Sequence, residues 1–203
     1  MRISGLHGAT LASLALLCTL PCAAQNAVTL YGGYRGGGSF QDGANTNTSL
    51  ALKSGGAASA SIDWAIDAAR QVQLFASHQS SEFPAPGSGA PAVPLTVSYL
   101  HIGGTNFFDG MIGRGPYVVG GLGVTRLSPG LAGLSDAYRP SMNVGLGYQL
   151  PLAASLALRF EVRGYVTLVN SNSSLFCSGG CVLSISGDAL TQAEAMLGLS
   201  YSF

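Results

Sequence analysis

From Gln25 onward the chain alternates apolar and polar residues with a period of two. Ser155–Thr167 is the clearest stretch. Leu156, Leu158, Phe160, Val162 and Val166 fall on one face with Gly164, and Ala157, Arg159, Glu161, Arg163, Tyr165 and Thr167 fall on the other. A helix would scatter the three charges around its surface, whereas a strand segregates them. Thr191–Phe203 repeats the device, with Thr191, Ala193, Ala195, Leu197, Leu199, Tyr201 and Phe203 on one face. In Pro140–Leu150, Met142, Val144, Leu146, Tyr148 and Leu150 oppose Asn143, Gly145, Gly147 and Gln149. Val28–Phe40, Ala57–Ile66, Gln71–Glu82 and Tyr117–Leu127 are compatible with strands as well. Leu95–Phe107 is ambiguous on both faces. The pattern therefore predicts eight strands.

The connections discriminate between all-β architectures. Gln41–Gly56, Phe83–Pro94, Ser128–Arg139 and Asn170–Asp188 are long. Between them lie the short Asp67–Arg70, the medium Phe108–Pro116 and the short Pro151–Ala154. A soluble Greek-key sandwich has no reason to alternate in this way. An up-and-down barrel in a bacterial outer membrane does, because its periplasmic turns are short and its external loops long. In hydrocarbon every backbone polar group must be paired, so the sheet has to close on itself. The expectation is an all-β, eight-stranded antiparallel up-and-down transmembrane barrel over residues 25–203, with both termini periplasmic.

Composition sharpens this reading. Charged residues make up 9% of the 203, against 47% apolar. A soluble domain is nearer one quarter charged. Nine basic and nine acidic residues give no net charge, which excludes a nucleic-acid binder that relies on a basic surface. The 29 glycines argue against a helical fold. Met1–Ala24 has the three-part form of a cleaved signal peptide: Arg2, the apolar Thr10–Leu20, then Cys22-Ala23-Ala24 before Gln25. That apolar run falls far short of the ~20 residues a membrane helix needs. A lipoprotein signal fits less well, because Leu20-Pro21 before Cys22 is unlike a lipobox.

The chain closes on Leu197-Gly198-Leu199-Ser200-Tyr201-Ser202-Phe203, with an apolar or aromatic residue at every second position. This resembles the terminal strand of outer-membrane barrels. Pro116–Val124 is similar to their inner strands. The resemblance is to the small eight-stranded outer-membrane barrel family that includes the OmpA transmembrane domain, OmpX and OmpW. It implies that Leu197, Leu199, Tyr201 and Phe203 form a signal for the barrel-assembly machinery. The wall-tethering role of OmpA is not carried over, since no peptidoglycan-binding domain follows Phe203.

The alternation places Arg35, Asp63, Arg159, Glu161, Arg163 and Glu194 in the lumen. Strand adjacency groups Arg35, Arg159 and Arg163 with Glu161 and Glu194 in one network of three cations and two anions. Buried charges must be paired to be tolerated. The expected role is structural, with a narrow polar pathway as the sharper alternative. Gly145, Gly147 and Gly198 point inward and leave room for long side chains or waters. Trp64, Tyr148 and Tyr201, with Phe203, are expected in an aromatic girdle.

Cys177 and Cys181 flank Ser178-Gly179-Gly180 in the last external loop. An exported protein meets an oxidising compartment, so a disulfide is expected, and no metal site or cofactor. His78, Ser80 and Glu82 give the one hint of hydrolysis, of the kind seen in lipid A deacylases, but a polar strand end at the outer rim is the better account. The sequence thus predicts a monomeric, non-enzymatic barrel contacting outer-membrane lipid and displaying loops to an external ligand. A narrow OmpW-like channel is the alternative, and a lipid A-modifying hydrolase is the remoter one.

Overall fold

The structure, a computed structural model, describes residues 26–42, 45–84, 92–130, 135–169 and 189–203. The expected leader over 1–24 and the pair Cys177 and Cys181 lie outside the described residues. Ten strands follow one another: β1 (Ala27–Gly37), β2 (Ser39–Asp42), β3 (Asn45–Ala51), β4 (Gly55–Ala65), β5 (Arg70–Phe83), β6 (Val93–Phe107), β7 (Gly115–Pro129), β8 (Ala137–Ala153), β9 (Leu156–Leu168) and β10 (Ala189–Ser202). Eight of them close a barrel in the order β1-β10-β9-β8-β7-β6-β5-β4, antiparallel throughout. The soluble sandwich is thereby excluded.

Two connections differ from expectation. Gln41–Gly56, read as a plain loop, contains most of the β2–β3 hairpin. Asn45–Ser49 is polar on both faces, so it carries no alternation to betray a strand. At the other end β8 runs through Pro151 to Ala153, leaving only Ala154 and Ser155 to turn. The register shifts between Pro151 and Ala153, where proline cannot donate to the ladder.

The first and last described residues meet at the short-turn end, where the Phe203 amide donates to the Asn26 carbonyl at 2.9 Å. At that end Asp67 closes the β4–β5 turn by accepting from the Ala69 and Arg70 amides, both at 2.9 Å, and from Arg70 Nε at 2.6 Å. The Arg70 side chain, with these amides, holds the Asp67 carboxyl below the usual carboxylate range. The Ile112 amide donates to the Ala68 carbonyl at 2.7 Å, and the Ile112 side chain packs with Phe107, Tyr117 and Val119 at that end of the barrel.

The two faces of the wall exchange character partway along β5–β8. On the short-turn side the outward residues are apolar: Leu74 and Ala76 on β5, Leu100 and Ile102 on β6, Leu122 and Val124 on β7, Met142 and Val144 on β8. Ile102, Leu122 and Val144 are each 64% exposed, which fits hydrocarbon rather than water. On the loop side the order is reversed. Phe83, Val93, Leu95, Val97 and Leu127 turn inward into one apolar cluster, while Ser80, Thr96, Ser98, Arg126 and Ser128 turn outward. The exchange falls on one cross-strand row, His78–Ser98–Arg126–Tyr138. Strands β6, β7 and β8 have 15, 15 and 17 residues. About 9–11 suffice to span. The excess forms a polar-coated barrel end with an apolar core, which is how a strand behaves once it leaves lipid for water.

Glycine decides how the interior fills. A Cβ on inward-facing Gly147 would lie 2.2 Å from the Tyr117 ring, and one on Gly198 would lie 2.4 Å from the Tyr31 ring. Each glycine is a seat that lets a tyrosine lie against the wall. Gly147→Ala is expected to lose about 1–3 kcal/mol by overpacking, measured as a shift in denaturant midpoint at unchanged slope.

Candidate functional site in the barrel interior

The inward residues between the two apolar ends are polar and ionic. Among the described residues, six buried ones carry charge, and each is held by the strand alternation that put it inside. Arg35 and Glu194 are direct register partners across the β1–β10 seam. Arg35 donates to Glu194 Oε2 from Nε at 3.0 Å and from Nη2 at 2.7 Å, and also to the Ser77 hydroxyl. Its guanidinium lies 4.9 Å from the ring centroids of both Tyr99 and Tyr165. Glu194 further accepts from the Tyr165 hydroxyl at 2.7 Å and from Ser59 at 3.2 Å. The aromatic faces and the hydroxyl donors supply what water would otherwise give the two ions.

Arg163 and Glu161 stand two apart on β9. Arg163 Nε donates to Glu161 at 2.7 Å, and Nη2 reaches the same oxygen at 2.5 Å. Tyr117 donates to the other Glu161 oxygen at 2.8 Å. The Arg163 guanidinium sits 3.7 Å from the Phe75 ring centroid. Arg159 turns the other way, across the lumen. Its Nη1 reaches Asp63 Oδ2 at 3.1 Å, and its Nε donates to Gln149 at 2.8 Å. Asp63 also accepts from Gln73 at 2.7 Å and Ser61 at 2.8 Å. In all three ion pairs both side chains have 0% exposure.

The network therefore holds three cations and three anions, which corrects the count of two anions. Asp63 joins it by crossing the bore from β4 to β9, two strands away from contact along the wall. Adjacency along the sheet finds partners such as Arg35 and Glu194. It cannot find a partner across a lumen. The neutral members, Gln73, Gln149, Tyr117 and Tyr165, show the same inward parity in the sequence but carry no charge that would mark them there.

His101 completes the interior with a Ser-His-Asn arrangement that invites a catalytic reading. Its Nε2 lies 2.8 Å from the Ser141 hydroxyl and its Nδ1 lies 2.7 Å from Asn143 Nδ2. The geometry argues against a nucleophile. Arg163 Nη1 donates to Asn143 Oδ1 at 3.4 Å, which turns the amide nitrogen toward the imidazole. Nδ1 must then accept, so Nε2 carries the proton and donates to Ser141. A general base needs the opposite tautomer. The outward His78, Ser80 and Glu82 do not assemble either. His78 Nδ1 lies 3.0 Å from Ser98, its cross-strand partner, and Glu82 is paired with Lys53 at 2.6 Å. Cross-strand neighbours stand closer than residues two apart on one strand, so Ser98 wins over Ser80.

Trp64, Tyr148, Tyr201 and Phe203 all lie on the outward face near the short-turn end, with exposures of 42%, 50%, 57% and 65%. Leu197 and Leu199 share that face on β10.

No family model and no curated protein matches the sequence. Solved structures do match the fold. Neisserial surface protein A aligns over 88% of this chain and 97% of its own, with a TM-score of 0.55 and 13% identity. Outer membrane protein AlkL covers 89% and 90%, with a TM-score of 0.52 and 18% identity. The outer membrane protein OprG from Pseudomonas aeruginosa covers 89% and 97%, with a TM-score of 0.50 and 14% identity. The chain thus has the fold of the small eight-stranded outer-membrane barrels.

Proposed function

We propose that this chain is an integral outer-membrane scaffold: a non-catalytic barrel that spans the membrane, keeps its termini in the periplasm and presents its long connections outside. Assembly through the terminal Leu197, Leu199, Tyr201 and Phe203, contact with outer-membrane lipid and a monomeric state belong to the same reading. The observation that carries it is the interior. Three arginines meet three carboxylates with no side-chain exposure, and apolar clusters around Leu95 and Leu127 at one end and Ile112 at the other bound the ionic layer. A conducting pore keeps its charged groups in water, as the wet lumen of larger barrels does. Here each buried cation is paired with a buried anion, which suits an interior that fixes strand register.

Planar-bilayer recording tests this against the channel reading. The folded, heat-modifiable barrel is expected to give no unitary current. Steady currents that change in Arg159→Ala or Glu194→Ala would establish a pathway through the ionic layer and defeat the scaffold reading.

A further inference from the structure

The row on which the wall changes character also carries an uneven distribution of chemistry. His78, Ser98, Arg126 and Tyr138 stand side by side on four consecutive strands, all directed outward. Adjacent strands are ~4.8 Å apart, so the row is ~14 Å wide. The residues just beyond it are hydroxyls and one acid: Ser80 pairs with Thr96, Thr96 with Ser128, and Ser128 donates to Asp136 at 2.6 Å. Asp136 also receives Arg126 Nε at 2.8 Å, which engages one edge of the guanidinium. Tyr138 is 61% exposed, and the Arg126 side chain is 51% exposed.

The opposite wall differs. Among the described residues, β9, β10, β1 and β4 place no charged side chain outward. Their outward positions toward the loop end, Tyr34, Gly36, Gly56, Ala58, Thr191, Ala193 and Leu168, are apolar, small or uncharged. The patch is therefore a property of one wall, not of the membrane boundary as a whole.

We infer that this two-row face of β5–β8 binds the phosphorylated saccharide headgroup of an outer-leaflet glycolipid from the side. The apolar wall below, Leu100, Ile102, Leu122 and Val124, takes the acyl chains. Arg126, with His78 and the Ser98 hydroxyl, meets phosphate at the level where apolar wall ends. The Tyr138 ring offers a face for a sugar. The hydroxyl row with Asp136 stands one step outward, where sugar hydroxyls would lie, and a carboxylate is a good acceptor for them. An isolated phospholipid would use only the lower row. The inference rests on the outer-membrane placement proposed above.

Native mass spectrometry of the detergent-purified full barrel tests it, with a deep-rough lipopolysaccharide as probe. One tightly retained glycolipid per barrel is expected. Arg126→Ala with Tyr138→Leu should cut retention at least fivefold, Arg126→Lys should restore part of it, and Thr191→Ala on the opposite wall should leave it unchanged. The dephosphorylated glycolipid should bind at least fivefold more weakly. Retention that survives Arg126→Ala with Tyr138→Leu, or that is matched by phosphatidylglycerol, overturns the site. Binding of the soluble phosphorylated core sugar as strong as that of the intact lipid would also overturn it, in favour of a free saccharide. Heat-modifiable migration of each variant separates lost binding from lost folding. A folded, inserted barrel without glycolipid preference leaves the scaffold reading standing.

Discussion

Glu194→Ala is expected to cost about 3–5 kcal/mol of barrel stability, because it breaks a buried ion pair by removing one partner. Glu194 collects Arg35, Tyr165 and Ser59, and both Arg35 and Glu194 side chains are wholly shielded from solvent. Removing the carboxylate leaves the guanidinium beside the stacked Tyr99 and Tyr165 rings with no counter-ion. Those rings offset part of the loss but do not neutralise the charge. Glu194→Gln keeps an acceptor and removes the charge, so it should fall between the alanine variant and the parent. The double variant Arg35→Met with Glu194→Leu removes both ions and should recover most of the loss, since two matched apolar side chains carry no desolvation penalty. Guanidinium unfolding in phospholipid vesicles, followed by Trp64 fluorescence, reads all four. A single variant that loses under about 1 kcal/mol would mean that water reaches the layer and screens Arg35.

The second large effect tests where the wall leaves lipid. Ile102→Arg and Thr96→Arg place the same charge on the outward face of the same strand, β6, six positions apart. Ile102 lies in the apolar belt and is 64% exposed. Thr96 lies beyond the row at which the faces exchange character. A cation at mid-depth on the lipid face costs about 2–4 kcal/mol, and one near the interface about 0–1. Ile102→Arg should therefore destabilise the barrel in vesicles by several-fold more than Thr96→Arg. In a detergent micelle, which adapts its shape to the protein, the gap should narrow. Equal losses in vesicles would place Thr96 within hydrocarbon and move the boundary past the loop-side cluster. That would also undercut the glycolipid face, whose argument depends on the height of the row.

This boundary explains why Leu95–Phe107 is ambiguous in the sequence. In Leu95–Phe107 the apolar residues Leu95 and Val97 have odd numbers and face inward, while Leu100 and Ile102 have even numbers and face outward. Two alternations of opposite sign cancel over the window, so the segment looks ambiguous although every residue obeys the rule for its own surroundings. The same exchange separates Phe83 from Leu74 on β5 and Leu127 from Leu122 on β7. It can be found in sequence only by allowing the sign of the pattern to reverse within a strand.

The period-two pattern determined the number of barrel strands and the inward direction of Arg35, Asp63, Arg159, Glu161, Arg163 and Glu194, and the connection lengths determined the up-and-down order. Those properties are local: side-chain parity follows from the pleat, and short turns force sequential strands to be neighbours. Closure of the sheet decided the rest. It brought Asp63 to Arg159 across the bore, seated Tyr117 on Gly147 and Tyr31 on Gly198, and set the Asn143 amide so that His101 donates to Ser141. Each of these depends on the distance between opposite walls. That distance is fixed by the number of strands, their tilt and their stagger acting together, and no single stretch of sequence contains it.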